Sequence, residues 1–122
     1  MNQAHTLASD LAPVGGKLDV IELTPALLGQ YGNMALVVNA TPLGMSPNND
    51  ISPWPEGVSF PLACKVYDAV YNPLETRFVR SARAAGVPAE TGLGMLIAQA
   101  ALAFERWTGL PAPFEVMRRS VR

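Results

Sequence analysis

Five prolines and two glycines fall between residues 40 and 61 of this 122-residue chain, with Asn48-Asn49-Asp50 among them, so regular structure is largely forbidden there. Ordered loops of that length are often functional, and regular elements on either side must hold them. Immediately upstream, Ala35-Leu36-Val37-Val38 is a continuous apolar run. It suits a strand buried on both faces of a parallel sheet and marks the expected sheet centre. Downstream, Lys65 to Val70 predicts the next strand. Asn72-Pro73-Leu74-Glu75 then supplies a cap, a first-turn proline and a carboxylate three residues past the cap, predicting a helix from there to about Ala85. Its periodicity turns Leu74, Phe78, Ala82 and Ala85 inward and Arg77, Arg80 and Arg83 outward, and Gly86 ends it.

The same reading extends to both ends. Gln3 to Leu11 has helical spacing, Asp19 to Leu23 reads as a brief strand, and Thr24-Pro25 starts one or two helical turns to Gln30. A short strand is expected near Ala89 and Glu90. From Gly92 to Thr108 comes a helix of roughly 25 Å, in which only Gln99 is polar between Leu93 and Phe104, so it should be buried almost all round. Gly109 and Pro111 stop it, and Phe114 to Val121 forms a last amphipathic segment. Strands alternating with helices predict an α/β fold with a parallel sheet of about four strands. Sheets of this kind usually open on a strand leading into a glycine-rich phosphate turn, yet this chain opens on a helix and has no G-x-G-x-x-G. The first βαβ unit is therefore expected to be missing.

Composition narrows the function classes. Nine Lys and Arg against ten Asp and Glu give a net charge of -1, which leaves no electrostatic footprint for nucleic acid or an anionic membrane. One cysteine, Cys64, and one histidine, His5, exclude a disulfide framework and a zinc cluster. No apolar segment reaches membrane-spanning length and the first residues lack a signal-peptide pattern, so a cytoplasmic location is expected. With 49% hydrophobic and 16% charged residues, some apolar surface should expect a partner.

Three stretches could carry chemistry. Asn39-Ala40-Thr41-Pro42-Leu43-Gly44-Met45 lies where the apolar strand ends, the edge at which open α/β sheets bind ligands. Its amide, hydroxyl and backbone groups could grip a nucleotide, or simply end a strand and start a turn. Val66-Tyr67-Asp68-Ala69-Val70-Tyr71-Asn72-Pro73 is a second strand end; Asp68 inside an apolar strand must be hydrogen-bonded, solvated or used, a structural clamp being favoured. In Gly92-Leu93-Gly94-Met95, with Gln99 downstream, helical offsets put Gly92, Met95 and Gln99 on one stripe. That stripe could hold a planar cofactor and a hydroxylated substrate, or provide a tight turn, core filler and a backbone-bonded amide. No serine lies in G-x-S-x-G, and the Arg77, Arg80, Arg83 row reads first as a solvated face.

Taken in order, Val38-Asn39-Ala40-Thr41-Pro42-Leu43-Gly44-Met45, Val66-Tyr67-Asp68 with Tyr71-Asn72-Pro73-Leu74-Glu75-Thr76, and Gly92-Leu93-Gly94-Met95-Leu96 with Gln99 resemble the carboxyl-terminal part of shikimate dehydrogenase. The resemblance runs from about Ala35 to Pro111 and implies most of a Rossmann-like, NADP-binding domain, a single truncated domain over residues 1–122 with carboxyl-terminal helices at 92–108 and 114–121. It implies NADPH-dependent reduction of 3-dehydroshikimate to shikimate in aromatic amino-acid biosynthesis. Asn39, Ala40 and Thr41 would lie along the dinucleotide, Ala69 beside the nicotinamide, Gly92 would accept from the carboxamide through its backbone, and Met95 would pack nearby. Tyr71 and Gln99 would face the substrate. The family's proton-handling lysine and aspartate, its phosphate turn and its 2'-phosphate site would belong upstream of Met1, so the chain alone is expected to be inert or nearly so. An NAD-using quinate/shikimate dehydrogenase and a non-catalytic binding or assembly module are the alternatives. Without a substrate domain, an apolar helix exposing Leu96, Ile97 and Phe104 should drive homo-oligomer formation.

Overall fold

A computed structural model describes residues 2–121, residues 2 and 27 by backbone alone. Two compact units form, Met1–Gly32 with Pro55–Val58, and Asn33–Trp54 with Ser59–Arg122. The first contains helix α1 (Asn2–Leu11), a 3-10 turn over Ala12–Val14 and the single-turn helix α2 (Pro25–Leu28), in which Leu28 is buried. Asp19 to Leu23, expected as a strand, is irregular and mostly exposed. With no neighbouring strand to complete a ladder, it leaves the sheet with three strands among the described residues instead of four.

The second unit is the α/β body. Strands β1 (Leu36–Asn39), β2 (Lys65–Asp68) and β3 (Ala89–Thr91) are parallel, in the order β1-β2-β3. Val37 pairs with Val66 and Asn39 with Asp68, while Val66 and Asp68 pair with Ala89 and Thr91. Registered residues share a sheet face. On one face Val66, Asp68 and Ala89 are buried, and helix α3 (Arg77–Ala84) packs against β2 and β3 with Phe78, Val79 and Ala82 inward. On the opposite face Leu36 is 57% and Val38 51% exposed.

β1 is thus an edge strand with one open face, not the doubly buried centre expected from its apolar run; β2 is central. An uninterrupted apolar tetrapeptide does not encode how many neighbours it has. Helix α3 also begins later than expected. Thr76 is its cap, accepting from the Val79 N–H at 3.3 Å, and Leu74 stays exposed ahead of it. Ala85 lies past the helix end and is exposed, and Gly86 closes the turn at φ +80°.

Helix α4 (Leu93–Thr108) and helix α5 (Phe114–Ser120) pack on each other. Burial of α4 all round is not what the structure shows: Ile97 and Ala101 are its buried residues, and Trp107 is 83% exposed. Ile97, expected on the exposed apolar face, is turned inward, whereas Met95, Leu102 and Trp107 are the large apolar side chains left outside. No helix among the described residues is long and apolar enough to cross a membrane.

The proline-rich stretch is irregular, as expected, and is built from short turns closed by Met45 N–H to Pro42 O, Asn48 N–H to Met45 O and Cys64 N–H to Pro61 O. Trp54 stacks on Phe60 with centroids 4.6 Å apart, and Phe78 lies 6.5 and 6.0 Å from those two rings, pinning the loop to α3. Cys64 is buried just before β2, and loss of hydration raises its thiol pKa, opposed by a backbone hydrogen bond. The unfolded thiol ionises near its ordinary value while the folded one stays protonated, so stability is expected to fall as pH rises from about 9.0 toward the raised folded value. Urea denaturation at a series of alkaline pH values checks this, and Cys64→Ala should remove that part of the slope.

Candidate functional site

Parallel strands β1 and β2 deliver two loops to the same carboxyl edge of the sheet. The first, from Asn39 to Ser46, is shaped by the Asn39 side chain. Its Oδ1 accepts from the Thr41 N–H at 3.0 Å and the Thr41 hydroxyl at 2.6 Å, and its Nδ2 donates to Leu43 O at 3.1 Å. Such side-chain to backbone bonds are why Asn follows a strand where the chain must turn. The second loop, Ala69 to Thr76, is tied to the first by Ala69 N–H to Asn39 O at 2.9 Å and Ser46 N–H to Asn72 O at 3.0 Å. The Ser46 hydroxyl reaches both Asn49 and Asn72.

Between the loops lies a hollow of about 290 Å³, lined by Ala40, Thr41, Met45, Ala69, Tyr71 and Asn72 among others. That is near the lower end of ligand pockets, generally ~300–1,000 Å³, and suits one ring with its sugar better than a whole dinucleotide. Beneath the edge, Asp68 is fully buried. Its Oδ1 accepts from Asn39 Nδ2 at 2.9 Å and the Val70 N–H at 3.0 Å, and its Oδ2 accepts from the Thr76 hydroxyl at 2.6 Å. The expected clamp is what the carboxylate forms.

Gly92 closes the back of the second loop. It is buried, donates its N–H to Val70 O at 3.1 Å, and approaches Ala69 so closely that a Cβ would overlap the Ala69 carbonyl. Absence of a side chain is therefore required by packing of the α4 entry against the β2 end. The Gly92 carbonyl accepts from the Leu96 N–H and keeps a second lone pair.

The structure brings Ala40, Thr41, Ala69 and Tyr71 to one hollow, with Asn39 buried beneath it and Gly92 behind Ala69. Met95 lines a different hollow of about 520 Å³, with Tyr67, Glu90 and Ile97. Gln99 is exposed on α4 and lines neither. The single groove expected to hold Thr41, Tyr71 and Gln99 is thus represented by Thr41 and Tyr71. Ser46 and Asn72, which strap the two rims together, and Thr76 were not singled out from the sequence for these tasks. A threonine three residues ahead of Val79 is a cap signal in its own right, obscured by the Asn72-Pro73 pattern before it.

Comparison with known proteins fits this geometry. Residues 92–122 match the Shikimate 5'-dehydrogenase C-terminal domain. The shikimate dehydrogenase (NADP(+)) of Methanopyrus kandleri is 49% identical over 123 residues, covering 99% of this chain and 42% of the relative. Shikimate 5-dehydrogenase from Thermus thermophilus, solved with NADP(H) and shikimate, superposes with a TM-score of 0.63 at 45% identity over 71% of this chain and 33% of that one. A ligand-free 5-ketofructose reductase from Gluconobacter sp. gives a TM-score of 0.64 at 28% identity, over 88% of this chain and 35% of that one. The chain spans about 40–43% of the length of the first curated relatives it matches.

Proposed function

Because this chain belongs to the shikimate dehydrogenase family over the stretch it matches, we propose that it is the part of an NADPH-dependent reductase of 3-dehydroshikimate that receives the nicotinamide end of the dinucleotide. The supporting observation is the shared hollow of Thr41, Ala69 and Tyr71 at the carboxyl edge of two adjacent parallel strands. When bound, NADPH supplies the hydride for carbonyl reduction. Ala40 and Thr41, on a turn fixed by Asn39, line the dinucleotide. Ala69, short and set against Gly92, leaves room for the flat nicotinamide. The free lone pair of the Gly92 carbonyl accepts from its carboxamide. Tyr71, on the rim of the same hollow, addresses the hydroxylated substrate. Proton transfer needs groups that these residues do not supply, so the chain alone orients the dinucleotide without turnover. A cytoplasmic setting suits a biosynthetic reaction of this kind.

Calorimetric titration of the chain with NADP+ and with NAD+ tests this reading. Saturable heat with NADP+ is expected. Ala40→Trp, which fills the mouth of the hollow from an exposed position, should weaken binding at least tenfold. No heat from either dinucleotide at millimolar concentration would leave a non-catalytic module instead.

The chain is also proposed to self-associate through α4. Met95, Leu102 and Trp107 present apolar surface there without cover. Sedimentation should show mass rising with concentration from micromolar to millimolar, and Trp107→Lys should return the chain to monomer. A monomer throughout that range would refute the association.

A further inference from the structure

Asp68 makes no contact with the hollow, yet three of the chain's separate pieces end on its carboxylate. Asn39 Nδ2 arrives from the end of β1, the Val70 N–H from the turn after β2, and the Thr76 hydroxyl from the cap of α3. The same Asn39 side chain holds the Thr41 N–H and hydroxyl through its other oxygen, so the first rim is oriented by an amide whose direction Asp68 fixes. The second rim, from Val70 to Thr76, is held at both of its ends by the two carboxylate oxygens. With Asp68 fully buried, these bonds are shielded from competing water.

We infer that Asp68 is a positioning residue that sets the two rims of the hollow relative to each other, and so determines how well the hollow receives the nicotinamide end of a dinucleotide; the ligand in this statement rests on the function proposed above. Hydrogen bonding suffices for the task. An asparagine with its oxygen in the Oδ1 place keeps the bonds from Asn39 and Val70, and its amide can donate to Thr76 Oγ1. An alanine leaves all three donors without their acceptor.

The test compares Asp68→Ala and Asp68→Asn with Val79→Ala, a core change in α3 that removes buried side chain but keeps the Val79 N–H bond to Thr76, in the 122-residue chain. Amide hydrogen exchange without ligand is followed at Thr41 and Ser46, neither of which touches Asp68, and NADP+ affinity is measured by calorimetry. Asp68→Ala should speed exchange at Thr41 and Ser46 at least tenfold more than Val79→Ala does and weaken NADP+ at least tenfold. Asp68→Asn should stay within about threefold of the parent in both. Equal exchange at those amides in Asp68→Ala and Val79→Ala would overturn the inference. If Asp68→Ala does not fold, Thr76→Val, which removes the donor to Oδ2 while keeping the side chain's shape, decides instead: exchange at Ser46 no faster than in Val79→Ala would overturn the inference. Failure of the unaltered chain to bind NADP+ would refute the proposed function, while the exchange comparison would still judge Asp68.

Discussion

Gly92→Ala is expected to destabilise the second unit by about 3 kcal/mol or more, the upper end of what overpacking costs. A Cβ at this position would overlap the carbonyl oxygen of Ala69 and stand 2.6 Å from its carbon, and the obstacle is backbone, which cannot rotate aside. Relief requires β2 to part from the α4 entry, breaking the Gly92 N–H to Val70 O bond. Thermal unfolding should show a midpoint lower by roughly 12–24 °C. Gly94→Ala is the control: a Cβ there meets nothing within 4 Å, and alanine's higher helix propensity should raise the midpoint slightly. Equal midpoints for the two variants would contradict the packing described.

Phe78→Ala carries a comparable effect through a different cause. Phe78 is 1% exposed, packs from α3 toward the sheet, and is the third ring beside the stacked Trp54 and Phe60. Truncation leaves a cavity and is expected to cost about 3–5 kcal/mol. Because the same ring pins the proline-rich loop, tryptophan fluorescence should change in denaturant below the main transition, as Trp54 loses its neighbour. Phe78→Leu, which retains most of the volume, should lose about half as much stability, and an unchanged denaturation midpoint in Phe78→Ala would contradict the packing.

Much of the fold was legible because its signals are local. The strand from Lys65, which ends at Asp68 and not at the expected Val70, the irregular stretch from residue 40 to 61, the Gly86 stop and the α4 boundaries follow from residue types whose backbone preferences decide matters on the spot. The clamp on Asp68 was legible too, since a carboxylate in an apolar strand has few affordable states. What failed was non-local. Leu36 to Val38 carries the pattern of a central strand, but centrality depends on what lies beside it, and here only β2 does. Leu93 to Phe104 reads as buried, but burial needs a covering surface, and α5 covers one side. For the candidate site, the strand-end residues Ala40, Thr41, Ala69 and Tyr71 were found because a parallel sheet's carboxyl edge is a general place for ligands. Gln99 shared a helical stripe with Met95 on paper, yet a stripe does not say which hollow it overlooks.

The hollow stands on two neighbouring strands, joined at their tips by the Ala69 N–H to Asn39 O bond. Its floor therefore has the width of one step in a hydrogen-bonded ladder, about 4.8 Å, a dimension that no side-chain change can stretch. Guests of different girth must be accommodated above the strand tips, by lengthening or shortening the segments after Asn39 and Asp68, so diversification of such a site is written in insertions and deletions there before it is written in substitutions.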